Sequence, residues 1–290
     1  MSSYTIITDA AADLLAEQVE HYDLRVMPMM VHVGSDEFPY RFGHEGLNLD
    51  DFYRRLREGE TSGTSAVNPA DWEQCMEEEF LAGQDVLVIA FSSALSSTCA
   101  NAAIAAEALR EKYPERRAIV VDSLSADFGE GMLVCHAAEN RLAGMNLEDN
   151  AAWVEANKLQ QIHWFTVDDL HYLRRGGRVS ATTAVVGSAL GIKPVLHVDN
   201  EGRLINVGTA RGRKKALKTL ISKIGETAIN AKDQVMFISH GGCLAEVEAM
   251  AREIKETYGV RDVILNFTGP IAGAHSGPGT VALFFVGTER

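Results

Sequence analysis

The chain is short of cysteine, of metal-ligand clusters, of basic charge and of long apolar runs, and each shortage removes a class of function. Four cysteines stand in 290 residues, Cys75, Cys99, Cys135 and Cys243, far apart and with no Cys-x-x-Cys. They read as small buried side chains in a reducing compartment, not as a disulfide frame or a zinc site. The histidines show no His-Glu-x-x-His or similar spacing, so no structural or catalytic metal is expected. The longest apolar runs, such as residues 119–121 and 281–286, are of strand length, which argues against a membrane span. The opening Met1-Ser2-Ser3-Tyr4 has neither the basic nor the apolar region of a secretory signal, so a cytoplasmic location is expected. A net charge of −13 argues against nucleic acid as the main partner. No Gly-x-Ser-x-Gly elbow and no P-loop occurs. Gly129-Glu130-Gly131 comes nearest to a dinucleotide fingerprint, but the sixth position is Val134.

What is present is alternation. Strand-like runs at residues 4–8, 24–33, 85–91 and 118–121 are separated by helical patterns at 9–22, 49–58, 69–81, 98–112, 129–142 and 147–159. Asn48 and Pro69 supply helix-start signals. Residues 85–91 are continuously apolar, as in a strand buried on both faces. The second half differs. Strands are expected at 163–167, 235–239, 262–267 and 281–286, short helices at 168–174 and 182–190, and long helices at 214–230 and 244–258. Asn200-Glu201-Gly202 reads as a hairpin turn between strands 195–199 and 204–209. The fold class is therefore α/β in two domains. Residues 1–160 form an N-terminal α/β domain with a parallel sheet, and 161–290 a C-terminal α/β domain with a mixed sheet.

Three small-residue stretches carry the candidate chemistry: residues 61–69 with Thr64-Ser65, residues 92–98 with Ser96-Ser97, and residues 269–279 with His275. The second begins where a buried strand ends and a helix starts, a place where free amides suit an anion. Those serines also suit helix capping, and the residues alone leave both roles open. The third sets a histidine in a glycine-rich loop that allows close approach to a ligand. One charge run stands out on this acidic chain. Between His171 and Lys223 the acids are Asp199 and Glu201 alone, against Arg174, Arg175, Arg178, Arg211, Arg213, Lys214, Lys215 and Lys218. It reads as a solvated face or as a docking surface for an acidic or phosphorylated partner.

Taken together and in order, these stretches resemble the DegV family, the fatty-acid-binding subunits of bacterial fatty acid kinase. The resemblance runs from Thr8-Asp9 and Asp13-Leu14 through Asp51-Phe52-Tyr53, Thr64-Ser65, Asp122-Ser123 and Asp169-Leu170-His171-Tyr172-Leu173-Arg174-Arg175-Gly176-Gly177-Arg178. Ile192-Lys193-Pro194-Val195-Leu196 and the His275 loop complete it. It implies a long-chain fatty acid buried in a tunnel, with its carboxylate at Thr64, Ser65, Ser96, Ser97 and His275. It implies Arg211 and Arg213 as docking residues for an ATP-dependent fatty acid kinase subunit. It also implies no catalysis by this chain, no cofactor beyond the bound lipid, a role in phospholipid metabolism, and transient membrane contact. The sequence departs from the family at Ala94, Ser97 and Cys99, and a left-handed backbone at Ser97 would be strained. The competing readings are an acyl hydrolase or transferase, with Ser96 or Ser276 as nucleophile and His275 as base, and a regulator binding a phosphate ligand.

Overall fold

The structure, a computed structural model, describes residues 3–42, 47–179, 191–288 and 290. In chain order the described strands are β1 (Tyr4–Asp9), β2 (Arg25–Met27), β3 (Met29–Val33), β4 (Asp36–Tyr40), β5 (Ser62–Ser65), β6 (Asp85–Ala90), β7 (Ala118–Asp122), β8 (Gln161–Thr166), β9 (Ile192–Val198), β10 (Leu204–Arg211), β11 (Val235–His240), β12 (Asp262–Phe267) and β13 (Val281–Val286). Strands β2-β1-β6-β7 form a parallel sheet. Strands β10-β9-β8-β13-β11-β12 form a mixed sheet, with β11 and β12 parallel and the other neighbours antiparallel. Strands β4-β3-β5 form a small antiparallel sheet. The α/β class read from the sequence, parallel first and mixed second, is the observed one. We propose residue 160 as the domain boundary, just before β8.

Strand β6 shows why the first half folds as it does. All six of its residues are buried. Val86, Val88 and Ala90 enter one core with the helices Pro69–Leu81 and Thr98–Lys112. Leu87 and Ile89 enter the opposite core with Phe128–Leu142 and Leu147–Asn157. Alternate side chains thus serve opposite faces, and each large one contributes about 1.5–3 kcal/mol of burial. The expected helix starts form: the Asn48 side chain accepts from the Asp51 amide, and Pro69 stands in a first turn that Asn68 caps by accepting from the Asp71 amide.

Three sequence expectations need correction. Residues 9–22 do not make one helix. Asp9 turns its carboxylate onto the Ala11 amide and caps a short 3-10 turn, Asp13 adopts a left-handed backbone, and the helix begins only at Ala16. Residues 24–33 are not one strand: Pro28, which has no amide to donate, divides β2 from β3, and the two enter different sheets. Residues 269–279 are not a loop throughout, because Pro270–Ser276 is a helix with proline in its first turn. The expected helix at 182–190 lies outside the described residues.

Contacts on two sides help join the halves. Ile271 and Ala274 of Pro270–Ser276 are buried in the first-half core with Phe52 and Tyr53, and the Tyr53 hydroxyl donates to the Thr268 carbonyl at 2.6 Å. On the other side, Gly129 lies flat against the His163 ring, whose Nε2 accepts from the Ala126 amide at 3.3 Å. Among the described residues no helix is long and apolar enough to cross a membrane, and no cluster of His, Cys, Asp or Glu is built to hold a metal.

A Cβ at Gly129 would fall 1.8 Å from His163 Nε2. Gly129→Ala should therefore lower stability by about 1–3 kcal/mol. Gly129→Ala combined with His163→Ala should show much less than the sum of the single losses. Urea denaturation of the three variants checks this, and additive losses would contradict it.

Candidate functional site

The sequence puts small polar residues in β5 and after β6, and the fold brings Thr64 and Ser96 to one cavity. A cavity opens where the carboxyl ends of β6 and β7 face the mixed sheet and the helix Pro270–Ser276. About 730 Å³ of space free of protein atoms lies there, open solvent at the mouth included. Its walls are mostly apolar: Met29, Phe91, Leu95, Phe165, Leu173, Val198, Leu204, Ile271, Ala282 and Phe284 all contribute. Strands β8 and β13 present alternate residues to it, His163 and Phe165 from one, Ala282 and Phe284 from the other.

Polar groups collect at one end. Thr64 Oγ1 and His275 Nε2 share a hydrogen bond of 2.8 Å, the donor set by the ring tautomer. Burial, and then the charges of Arg178 and Arg175, push the His275 pKa down to about 4, so the ring is neutral at pH 7. Gly176 lies against the Nδ1 edge of that ring, where a side chain would displace it. Ser96 also lines the cavity. Its hydroxyl accepts from the Thr98 amide at 3.2 Å and pairs with the Thr98 hydroxyl at 2.9 Å, so it both caps the helix and faces the site. Arg178 is the wall residue that reading the sequence assigned only to the basic run. Its guanidinium donates to the Leu95 carbonyl at 3.2 Å and to the Gly176 carbonyl, which brings a cation to the mouth of an apolar cavity. The signal was the Gly176-Gly177 pair before it, which lets the chain turn the arginine back over the site; Gly177 has a left-handed φ of 72°.

The other expected site residues lie elsewhere. Ser65 is adjacent to Thr64 on a strand, so its side chain points to the opposite face and meets His32 Nε2 at 2.9 Å. Ser97 is exposed and does not line the cavity; its φ of −77° is ordinary, so the feared strain is absent. Of the docking pair, Arg213 is engaged within the chain: its Nε donates to Glu246 at 2.7 Å and its Nη1 lies 3.8 Å from Asp168. Arg211 is exposed at the end of β10.

Deeper in the wall stands Asp127, which reading the sequence passed over. It is buried, with φ 54° and ψ −147°, a backbone that costs a non-glycine residue about 1–3 kcal/mol. Its carboxylate accepts from Ser239 Oγ at 2.6 Å and from the Phe128 amide at 2.7 Å. Thr268 Oγ1 donates to the same Ser239 hydroxyl at 2.9 Å. Asp13 faces Asp127 and accepts from the Gly269 amide at 2.8 Å. Burial raises both acids, Asp127 to about 6, and the charge of Asp127 holds Asp13 well above the carboxylate range.

Comparison with known proteins bears on this geometry. The family model described as "uncharacterised protein, DegV family" matches residues 3–288. A DegV domain-containing protein of Clostridium perfringens is 40% identical over 290 residues, covering 100% of this chain and 99% of that one. A Thermus thermophilus DegV family structure, titled for its fatty acid binding, superposes with a TM-score of 0.88 at 29% identity, covering 99% of this chain and 100% of that one. A Thermotoga maritima structure titled as revealing fatty acid binding function gives 0.83 at 28% identity, with the same two coverages.

The His275 ring should titrate near pH 4 in the ligand-free protein. Arg178→Gln removes the nearer of the two repelling charges and should move that pKa upward by up to about one unit. Ring-resonance NMR across pH 3.5–8 measures both values. A wild-type pKa near 6.5 would mean that the ring is not buried as described.

Proposed function

We propose, on the premise that this chain belongs to the DegV family, that it binds a long-chain fatty acid in the cavity and presents the carboxylate to a partner fatty acid kinase. The observation that carries this reading is a polar end on a mostly apolar cavity: Thr64 bonded to His275, with Ser96 and Arg178 beside them. An alkyl chain buried in the apolar part gains about 0.8 kcal/mol per methylene, so ten methylenes give about 8 kcal/mol, the scale of a micromolar complex before the cost of association is set against it. The carboxylate then needs orientation more than strong attraction. A hydroxyl, an imidazole and one guanidinium supply donors for it.

Among the described residues no serine–histidine–acid arrangement faces that carboxylate. His275 is bonded to a threonine, and among the described residues no carboxylate bonds its ring. The Ser96 hydroxyl is taken up by Thr98. A Ser-His hydrolase needs a serine on the base and an orienting acid behind it, and neither pairing forms. In this proposal the phosphoryl transfer that makes the acyl phosphate belongs to an ATP-binding kinase subunit, and the acid is collected by transient membrane contact. The docking face uses Arg211 with the exposed Lys214 and Lys215, while Arg213 stays with Glu246.

Protein purified without added lipid should carry a long-chain fatty acid, visible by native mass spectrometry. Thr64→Ala and His275→Ala should each weaken fatty acid affinity about tenfold or more, the scale of a hydrogen bond to a charged acceptor. His275→Gln should retain more affinity than alanine. A bound carboxylate favours the imidazolium, so affinity should rise as pH falls from the raised bound pKa toward the free value near 4, and stay flat above pH 7. Equal binding by all three variants at every pH would remove His275 from the carboxylate.

Arg211→Glu should leave fatty acid affinity unchanged and slow kinase-dependent acyl phosphate formation at low salt. Arg213→Glu should instead lower thermal stability, because it sets an acid against Glu246 and Asp168. Acyl phosphate formation at the wild-type rate by Arg211→Glu would place docking on another face.

A further inference from the structure

An acyl tunnel for a plain hydrocarbon needs no polar group at its middle, yet this cavity has one. The strand register fixes its level. Thr280 begins the cavity face of β13; two residues on, Ala282 pairs with Phe165 on one side and with Ser239 on the other; two further, Phe284 pairs with His163 and Phe237. Asp127 bonds Ser239 and so sits at the middle level, about 7 Å along the strand from Thr280. Thr268, the other wall residue of the cluster, precedes the helix Pro270–Ser276. His275 is five residues beyond Pro270 in that helix, about 7.5 Å along its axis. The carboxylate end and the Asp127 cluster are therefore separate places on one wall.

Two further wall residues are short of partners. Ser276 Oγ and His163 Nδ1 are buried and make no hydrogen bond among the described residues, and their residues are 7% and 2% exposed. Both line the same cavity, Ser276 at its mouth side and His163 at its inner level. Unpaired buried polar atoms are costly, and a ligand oxygen is one way to satisfy them.

We propose that the Asp127–Ser239–Thr268 cluster is a second subsite that takes an oxygen on the acyl chain, so that the ligand class is a long-chain fatty acid with a mid-chain hydroxyl. This rests on the fatty acid reading above and narrows it. The ligand hydroxyl donates to the Asp127 carboxylate, beside the Thr268 hydroxyl, which gives its own hydrogen to Ser239. Asp127 accepts from a serine and a backbone amide and also meets Asp13, and a carboxylate of about four acceptor sites keeps one for a further donor.

The test is competition among stearic acid and its 3-, 10- and 12-hydroxy derivatives for the delipidated full-length protein, read by displacement of a fluorescent fatty acid. A mid-chain hydroxy acid should bind about tenfold more tightly than stearic acid, and the 3-hydroxy acid should show no such gain. In Asp127→Leu the ratio of the two affinities should fall to about one. Thr268→Val, which keeps shape, should lower the ratio by a smaller factor, and it serves where Asp127→Leu does not fold. Stearic acid binding as tightly as every hydroxy isomer overturns the subsite and leaves the fatty acid reading standing. Failure of all four acids to bind the wild type overturns both.

Discussion

The contact on which the site depends is small: the Gly269 amide donates to the buried Asp13 carboxylate at 2.8 Å. A side chain at Gly269 would collide with that carboxylate, so glycine alone permits the approach. The bond anchors the start of Pro270–Ser276 against the first half of the chain, while Tyr53 holds the Thr268 carbonyl from the other side. With its beginning so fixed, the helix buries Ile271 and Ala274 in the first core and delivers His275 to Thr64. The mixed sheet supplies the strands on either side of that helix, the first half supplies the pocket it docks into, and the cavity is what remains between them.

Holding this arrangement has an electrostatic cost. Asp9, Asp13, Asp127 and Glu130 are all buried, and desolvation raises every one of them. The chain offsets part of this with specific donors: Phe91 and Ala11 amides for Asp9, Gly269 for Asp13, Ser239 for Asp127, Thr8 for Glu130. Raised acid pKa values mean that the folded state holds protons the unfolded chain would release. Stability from these groups is therefore greatest below the unfolded carboxylate range and declines as pH rises toward about 6.

Much of the fold was legible because it rests on local rules. Continuous apolarity marked β6, Asn48 and Pro69 marked helix starts, and Asn200-Glu201-Gly202 marked the hairpin of β9 and β10. The errors fell where a single residue overrode a pattern: Pro28 cut a strand, and the Asp9 side chain replaced a helix with a turn. Of the residues lining the cavity, Thr64, Ser96 and His275 stand in stretches that the sequence singled out and that the family resemblance pointed to. Ser65 is excluded only by the alternation of β5, a strand that its small polar residues did not announce. Arg178 and Asp127 were missed because nothing local distinguishes an arginine facing a cavity from one facing water, or an aspartate capping a helix from one lining a pocket. Only the pairing of distant strands makes that distinction.

The Thr64–His275 bond spans 211 positions of the chain. No early folding intermediate can form it, because closing so long a loop comes after the local sheets and helices have consolidated. The polar end of the cavity is thus among the last parts of the molecule to exist. A ligand that touches both residues rewards only the finished fold, so its occupancy lowers the population of every partly opened state in which Pro270–Ser276 has lifted away. Under the proposed function, lipid supply and the lifetime of the folded chain become one quantity: a cell poor in ligand would hold a protein more open to local unfolding and to proteases, and a cell rich in it a protein that persists.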